Sequence, residues 1–183
     1  LFGSSNADLI DGLSGNDFIA GFDGGDTLIG NSGNDTLQGG GGDSLDGGEG
    51  LDSILGDAGA DSIDGGAGMD LLFGGGDADT IYGGDAADSL SGDAGNDVLS
   101  GDAGNDTILG GSGDDTLTGG ADADVFLITG GDNDVITDFT PGEDLLDIRT
   151  SAGAISLADL SPMASGGDTV LTLPGGGTIT LLG

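Results

Sequence analysis

The chain has 183 residues and a formal net charge of −33, because 34 acidic residues face a single basic residue, Arg149. This excess of negative charge excludes nucleic acid and anionic membranes as natural partners. The absence of Cys and His excludes disulfides, thiolate and imidazole metal ligands, and a histidine base. Acidic chains are often disordered, but 35% of these residues are hydrophobic and they recur at fixed spacing.

No apolar run reaches the roughly 18–20 residues of a membrane span, and no signal peptide is visible. Since the chain begins at Leu1, directly beside a repeat, we expect it to be excised from a longer protein.

A repeat of nine residues extends from Gly3 to Leu127 in 14 units, and the unit that starts at Gly39 lacks one residue. Position 1 is Gly in every unit, position 4 is Gly in ten units, and position 8 is always a large apolar residue. Position 6 is Asp in every unit: Asp8, Asp17, Asp26, Asp35, Asp43, Asp52, Asp61, Asp70, Asp79, Asp88, Asp97, Asp106, Asp115 and Asp124.

Each fixed position has a physical reason. Glycines allow positive φ and close backbone approach, so the first half of a unit can be a tight turn with exposed carbonyls. Positions 7 to 9 then predict a very short strand in which only position 8 points inward. One inward apolar residue per unit is too little for a core, so the units must stack as coils with strands about 4.8 Å apart.

The stacking brings the Asp residues together in columns. With two units per coil, Asp residues of alternate units lie above one another, such as Asp79 with Asp97. Stacked carboxylates repel in a poorly hydrated groove, and a divalent cation between them reverses that effect. Because the available ligands are carboxylate and carbonyl oxygens, Ca²⁺ fits better than Mg²⁺. Seven turns on each of two edges leave six gaps each, hence up to about 12 ions, which would bring the charge from −33 to −9.

Units such as GGSGDDTLT (110–118) and GDAGNDTIL (101–109) resemble the GGxGxDxUx nonapeptide of the RTX (repeat-in-toxin) calcium-binding proteins. The resemblance implies an all-β, right-handed parallel β-roll, a two-sheet β-solenoid with two nonapeptides per coil and a small C-terminal β cap. It also implies that the fourteen position-6 Asp residues are calcium ligands, together with turn carbonyls. Asp77, Ala86 and Asp122 depart from Gly at position 4, so sites beside them are expected to be weaker or empty.

The remaining residues, 128–183, predict a capping region, with an irregular fifteenth repeat at 130–137 and a secretion signal that is incomplete at the C-terminus. We expect strands at Ile155–Leu160, Thr169–Leu173 and Thr178–Leu182, with a hairpin-like turn at Pro174–Gly177. Four acidic residues of this region suggest either an extra metal site or, as we favour, solvated and turn-bonding groups: Asp138, Glu143, Asp144 and Asp147. We expect Arg149 to be a local ion-pair partner of this cluster.

The outward positions of the even-numbered units are the more apolar, and an apolar outer sheet tends to be covered. We therefore expect the even face to contact the tail, a neighbouring domain or another copy. The alternative is ordinary scattered surface residues. The residues that would form this contact are Phe18, Leu55, Leu71, Phe73 and Leu109.

Three functions are compatible with the sequence. The first is a secreted, extracellular calcium-binding module, exported by a type I apparatus from a Gram-negative bacterium, that folds on calcium and stabilises a larger protein. The second is a structural unit of an adhesin, surface layer or filament. The third is an enzyme, but the Asp residues are periodic and no nucleophile motif appears, so we expect no catalysis by this chain and place any catalytic domain upstream.

Overall fold

The structure is a computed structural model that describes residues 1–150, 153–154, 161–165, 167–173 and 176–182, with backbone alone at 150, 153–154 and 161–165. Within these ranges the chain forms strands and no helix, and so no helix that could cross a membrane. The strands are β1 Leu9–Asp11, β2 Phe18–Ala20, β3 Thr27–Ser32, β4 Thr36–Gln38, β5 Ser44–Glu49, β6 Ser53–Ala58, β7 Ser62–Ala67, β8 Leu71–Gly76, β9 Thr80–Asp85, β10 Ser89–Ala94, β11 Val98–Ala103, β12 Thr107–Ser112, β13 Thr116–Ala121, β14 Val125–Thr129, β15 Asn133–Ile136, β16 Leu145–Thr150, β17 Gly153–Ala154, β18 Ser161–Ser165, β19 Asp168–Thr172 and β20 Thr178–Leu181.

Successive strands alternate between two sheets, as the prediction of two units per coil requires. The odd sheet has the order β1-β3-β5-β7-β9-β11-β13-β15-β20-β19-β18, and the even sheet has the order β17-β16-β14-β12-β10-β8-β6-β4-β2. All pairs from β1 to β16 are parallel and join equivalent repeat positions, so Ile108 lies beside Leu90 and Phe126. The predicted parallel β-roll is confirmed.

The strands are longer than the sequence predicts. Most interior strands have six residues because they continue from positions 7–9 of one unit into positions 1–3 of the next. In β12, both Ile108 and the position-1 glycine Gly110 are buried. The expected length of three residues was therefore wrong, although position 8 is the inward one among positions 7–9. In the longer strand position 1 also faces the interior, where glycine leaves room for another group.

The core is a double ladder of one apolar side chain per unit, fully buried from Ile19 to Phe126. Parallel stacking at about 4.8 Å places each side chain in van der Waals contact with the next, so the ladder is continuous although each unit contributes only one residue. Residues of the tail extend it: Ile128, Ile136, Ile148, Leu171, Leu173 and Ile179.

The tail continues both sheets before it closes one of them. Strand β15 pairs with β13, β16 with β14, and β20 with β15, all in parallel. Strands β18, β19 and β20 then form an antiparallel meander, which covers the last parallel edge of the odd sheet. Pairing of this kind protects strand edges. The division into a roll at 3–127 and a cap at 128–183 stays a prediction.

Two of the three strands predicted in the tail are present, at 168–172 and 178–181. They are joined as a hairpin, since Thr172 lies opposite Thr178 and the N–H of Leu173 donates to the carbonyl of Gly177. The third predicted strand, Ile155–Leu160, and the turn residues Pro174 and Gly175 lie outside the described residues.

Candidate metal centre

Two positions of the repeat have a left-handed backbone, position 2 near the end of the strand and position 4 in the turn. Residues at positions 2 and 4 of most units have positive φ, as Gly111 and Gly113 show with φ of 115° and 131°. Glycine adopts this region without steric cost, which explains its frequency there. Three of the four residues that replace glycine at position 4 also have a positive φ: Asp77, Ala86 and Asp122 have φ of 74°, 82° and 79°, whereas Asn6 does not.

The position-6 Asp residues form two columns, one along each edge of the roll. In each column the backbone N–H of one Asp donates to Oδ1 of the Asp one coil further on, as Asp79 does to Asp97 at 2.8 Å. The first column is Asp8, Asp26, Asp43, Asp61, Asp79, Asp97, Asp115 and Asp134. The second column is Asp17, Asp35, Asp52, Asp70, Asp88, Asp106, Asp124 and Asp144.

The other carboxylate oxygen of most column residues has no partner. Asp115 is only 1% exposed, and most members of both columns are similarly buried. A buried carboxylate oxygen without a hydrogen bond or counter-charge is costly. The buried Oδ2 atoms without a partner belong to Asp17, Asp26, Asp35, Asp52, Asp61, Asp70, Asp79, Asp88, Asp97, Asp106 and Asp115.

The invariant glycine at position 1 makes room for this carboxylate. A Cβ on Gly110 would lie 2.2 Å from Oδ2 of Asp115, and a Cβ on Gly101 would lie 2.3 Å from Oδ2 of Asp106. Neither glycine has a positive φ. Position 1 is therefore glycine for lack of space beside the buried Asp and not for its backbone conformation.

Burial raises the pKa of these carboxyl groups. Desolvation is the main cause, and the neighbouring carboxylates of the same column add to it, while the backbone hydrogen bond to Oδ1 opposes it. The pKa rises to about 7 for Asp61 and Asp88. It rises to about 6 for Asp52, Asp97, Asp106 and Asp134. The ionised carboxylates therefore raise the free energy of the folded chain.

These columns suit a hard divalent cation. No three acidic side chains converge on one point within the described ranges, so an ion here would take further ligands from backbone carbonyls. Such carbonyls lie between the turns: a Cβ on Gly113 would meet the carbonyl oxygen of Gly95 at 1.7 Å, and one on Gly68 would meet that of Gly50 at 1.5 Å. Carboxylate and carbonyl oxygens are the ligands of calcium, and no protein group competes for the unpartnered Oδ2 atoms.

Comparison with known proteins identifies the family of this repeat. The RTX calcium-binding nonapeptide repeat (4 copies) matches residues 2–37, 20–43, 38–72, 65–99, 91–126 and 100–136. Together these segments cover residues 2–136, well over half of the chain. The chain belongs to the RTX calcium-binding repeat family. Repeats of this family bind calcium, and the RTX fold itself is structural and not catalytic.

Among the solved structures similar to this RTX chain is the crystal structure of the extracellular lipase LipA from Serratia marcescens. The TM-score is 0.49 and the sequence identity is 23%. The alignment covers 100% of this chain and 37% of the lipase chain, so the RTX chain spans a little over one third of that protein. No curated protein sequence matches the chain.

The RTX columns contain two residues beyond the fourteen predicted from the sequence. Asp134, which is 6% exposed, accepts a hydrogen bond from the N–H of Asp115, and Asp144 accepts one from the N–H of Asp124. Asp134 is at position 6 of the irregular fifteenth repeat, so its role could have been predicted from that alignment. Asp144, one of the tail residues named for a possible extra metal site, belongs to no repeat, and only the fold reveals its place in the column. Its Oδ2 accepts the N–H of Thr140, as the favoured turn-bonding interpretation expects. The metal role of all these residues stays a prediction.

The other acidic residues of the tail make local contacts. Asp138 accepts hydrogen bonds from the N–H groups of Gly119 and Gly120, at 2.9 and 2.8 Å. Asp147 forms an ion pair with Arg149 at 2.6 Å. Glu143 is exposed. These contacts match the turn-bonding interpretation for Asp138 and the ion-pair interpretation for Arg149.

The apolar residues of the even face differ in their exposure to solvent. Leu55, Phe73 and Leu109 are half-buried, while Phe18 and Leu71 are exposed. Where the structure describes it, the tail extends the even sheet at its edge through β16 and β17. A contact of this face with another protein stays a prediction.

Proposed function

We propose that this chain is a calcium-dependent folding module of an exported protein. The observation that supports it is the row of buried Asp carboxylates whose Oδ2 atoms have no partner. The chain has one basic residue, and it is exposed and paired with Asp147, so no side chain can neutralise the columns. A bound cation can compensate them, and so can a proton at lower pH, because burial raises the pKa of these carboxyl groups.

Coupling between calcium and folding follows from this arrangement. The columns exist only when the coils are stacked, so the unfolded chain has no preformed sites, and the free energy of calcium binding becomes free energy of folding. At the low calcium of the cytosol the chain stays unfolded and suitable for a type I secretion apparatus. In the extracellular medium, calcium at about 1 mM binds weak sites and the roll forms.

The folded roll then stabilises the larger protein to which it belongs. A roll that closes only outside the cell gives the adjoining polypeptide a folded neighbour after export. Localisation of the module is extracellular under this proposal, and a Gram-negative bacterium is the source we expect from the family resemblance.

Far-UV circular dichroism of the isolated chain tests the proposal. We expect little strand signal in EGTA, a cooperative increase as calcium rises through the submillimolar range, and no comparable change with Mg²⁺, which dehydrates reluctantly and requires stricter octahedral geometry. A full strand signal in EGTA, with no change on addition of calcium, would refute it.

A second candidate is a structural unit that assembles with further copies. Rings of Phe2, Phe18 and Phe22 form an exposed cluster, with centroids of Phe2 6.0 Å from Phe18 and 6.2 Å from Phe22. Exposed apolar clusters favour contacts between proteins. Light scattering in calcium would detect such assembly, and a Phe2→Ser variant that assembles equally well would exclude this cluster as the contact.

A further inference from the structure

The shortened repeat, which begins at Gly39, differs from the others in its turn. It has eight residues, and its turn consists of four consecutive glycines followed by Asp43. The strands on both sides keep the register of the roll, with Leu45 beside Leu28 and Ile63. The missing residue is therefore absorbed within the turn.

Asp43 has partners for both carboxylate oxygens. Its Oδ1 accepts a hydrogen bond from the N–H of Asp26 at 2.6 Å, as in the rest of the column. Its Oδ2 accepts a second one from the N–H of Gly41, two residues earlier in the same turn, at 3.1 Å. From Asp17 to Asp115, where the structure describes every residue, all the other column residues have a buried Oδ2 without a partner. The short turn thus satisfies by itself the oxygen that elsewhere is left for a cation.

The peptide groups of the short turn also face the next coil differently. In regular turns a Cβ added at position 4 would meet the carbonyl oxygen of the preceding turn, as Gly113 meets that of Gly95 at 1.7 Å. Above the short turn, a Cβ on Gly59 would instead meet the backbone nitrogen of Gly42 at 2.6 Å. A hydrogen-bond donor stands where the other turns present an acceptor. An N–H group cannot bind a cation.

We propose that the turn at 39–43 holds no calcium ion, so the series of ions along the first Asp column is interrupted at Asp43. This inference rests on the proposed calcium-dependent folding. The second column has no such interruption, because Asp35 and Asp52, which lie beside the short repeat, keep unpartnered Oδ2 atoms. The fourteen repeats therefore bind fewer ions than the twelve that their number allows.

Equilibrium dialysis against calcium at saturation, with bound ions counted per chain, tests this proposal in two matched variants. Asp43→Asn and Asp97→Asn change residues of the same column, and both keep an Oδ1 that can accept the N–H of the preceding Asp. We expect Asp43→Asn to bind the same number of ions as the wild type, and Asp97→Asn to bind at least one fewer. Equal losses in the two variants would overturn the proposal.

Insertion of one glycine between Gly41 and Gly42 supplies an independent test. It restores a nine-residue unit with glycine at positions 1, 2 and 4, so we expect at least one additional bound ion per chain. An inserted chain that folds and binds the wild-type number of ions would contradict the proposal. If the insertion prevents folding, the comparison of Asp43→Asn with Asp97→Asn still decides. If the wild type binds no calcium, the proposed function fails. That result differs from the outcomes of the substitution and insertion tests, which require a wild type that binds calcium.

Discussion

The backbone N–H of Asp79 donates a hydrogen bond to Oδ1 of Asp97 at 2.8 Å, while Oδ2 of Asp97 is buried without a partner. The same relationship recurs along both edges of the roll. In most of these Asp residues one oxygen therefore connects two coils, and the other has no partner in the protein. Under the proposed function a single residue type serves both stacking and calcium binding, which would explain why position 6 is Asp in all fourteen units.

Without calcium, the fold should be favoured by acid. Burial raises the pKa of Asp61 and Asp88 from 3.8 to about 7, so the folded chain binds more protons than the unfolded chain between these values. Stability of the calcium-free roll is thus greatest below pH 3.8 and decreases as pH rises through about 7. We expect calcium-depleted protein to gain strand signal in circular dichroism when pH falls from about 7.5 to about 5, above the pI of about 4.1.

The control for this experiment is the same pH change at saturating calcium, where protons and calcium compete for the same oxygens. There, acidification should weaken calcium binding and shift the folding midpoint to higher calcium. A calcium-depleted chain that loses strand signal on acidification would contradict the prediction.

Substitution of a position-1 glycine should be severe. In Gly110→Ala the new Cβ would lie 2.2 Å from Oδ2 of Asp115, which cannot move without loss of its place in the column. Overpacking of this kind costs about 1–3 kcal/mol, and displacement of the carboxylate should also raise the calcium concentration required for folding. Urea unfolding at saturating calcium measures the first effect, and a calcium titration measures the second.

Gly76→Ala is the matched control, since this glycine lies at position 3, has no positive φ, and its Cβ would have no neighbour closer than 3.9 Å. We expect its stability to remain within about 0.5 kcal/mol of the wild type. Similar losses in both variants would show that space beside Asp115 is not the reason for glycine at position 1.

Ala86→Gly should stabilise the roll. Ala86 has a φ of 82° at a position where most units have glycine, and the left-handed region costs a residue with a Cβ roughly 1–2 kcal/mol. Part of that gain is offset by the greater freedom of glycine in the unfolded chain, so we expect a net increase of about 0.5–1 kcal/mol in the free energy of unfolding. Ala87→Gly, at an adjacent exposed residue without positive φ, should have the opposite sign. Two effects of the same sign would contradict the explanation.

The tail should stabilise the last coils through Asp138. Its carboxylate accepts the N–H groups of Gly119 and Gly120, so Asp138→Ala leaves two backbone donors without partners, at about 1–3 kcal/mol each where they are shielded from water. We expect a higher calcium midpoint for folding with an unchanged number of bound ions. Glu143→Ala, at an exposed residue of the same segment, should behave as the wild type, and an equal effect in this control would exclude a specific role for Asp138.

The nine-residue period predicts most of the fold because every unit repeats the same physical solution. Asp79 and Asp97, and likewise Leu90 and Ile108, are related by two units, so their stacking follows from the period alone. The six-residue strand length does not follow from it. A glycine at position 1 predicts a flexible turn, whereas in the structure it is an inward strand position whose missing side chain accommodates the Asp carboxylate.

The tail marks the limit of prediction from periodicity. Asp144 continues the second column, but it lies in a segment without the repeat, and its position depends on how β16 pairs with β14. The short turn at 39–43 is also only partly predictable from the sequence. The sequence shows the deletion, but only the backbone geometry shows that the N–H of Gly41 donates to Asp43.

Amide hydrogen exchange followed by mass spectrometry tests the central claim most directly. In calcium, peptides that contain the interior strands β5 to β13 should exchange slowly, since their N–H groups are paired on both sides of each strand. In EGTA at neutral pH, the buried carboxylates lose their compensation, and the same peptides should exchange at the rate of an unfolded chain. Equal protection of these strands in EGTA and in calcium would show that the columns do not need the metal, and would contradict the account.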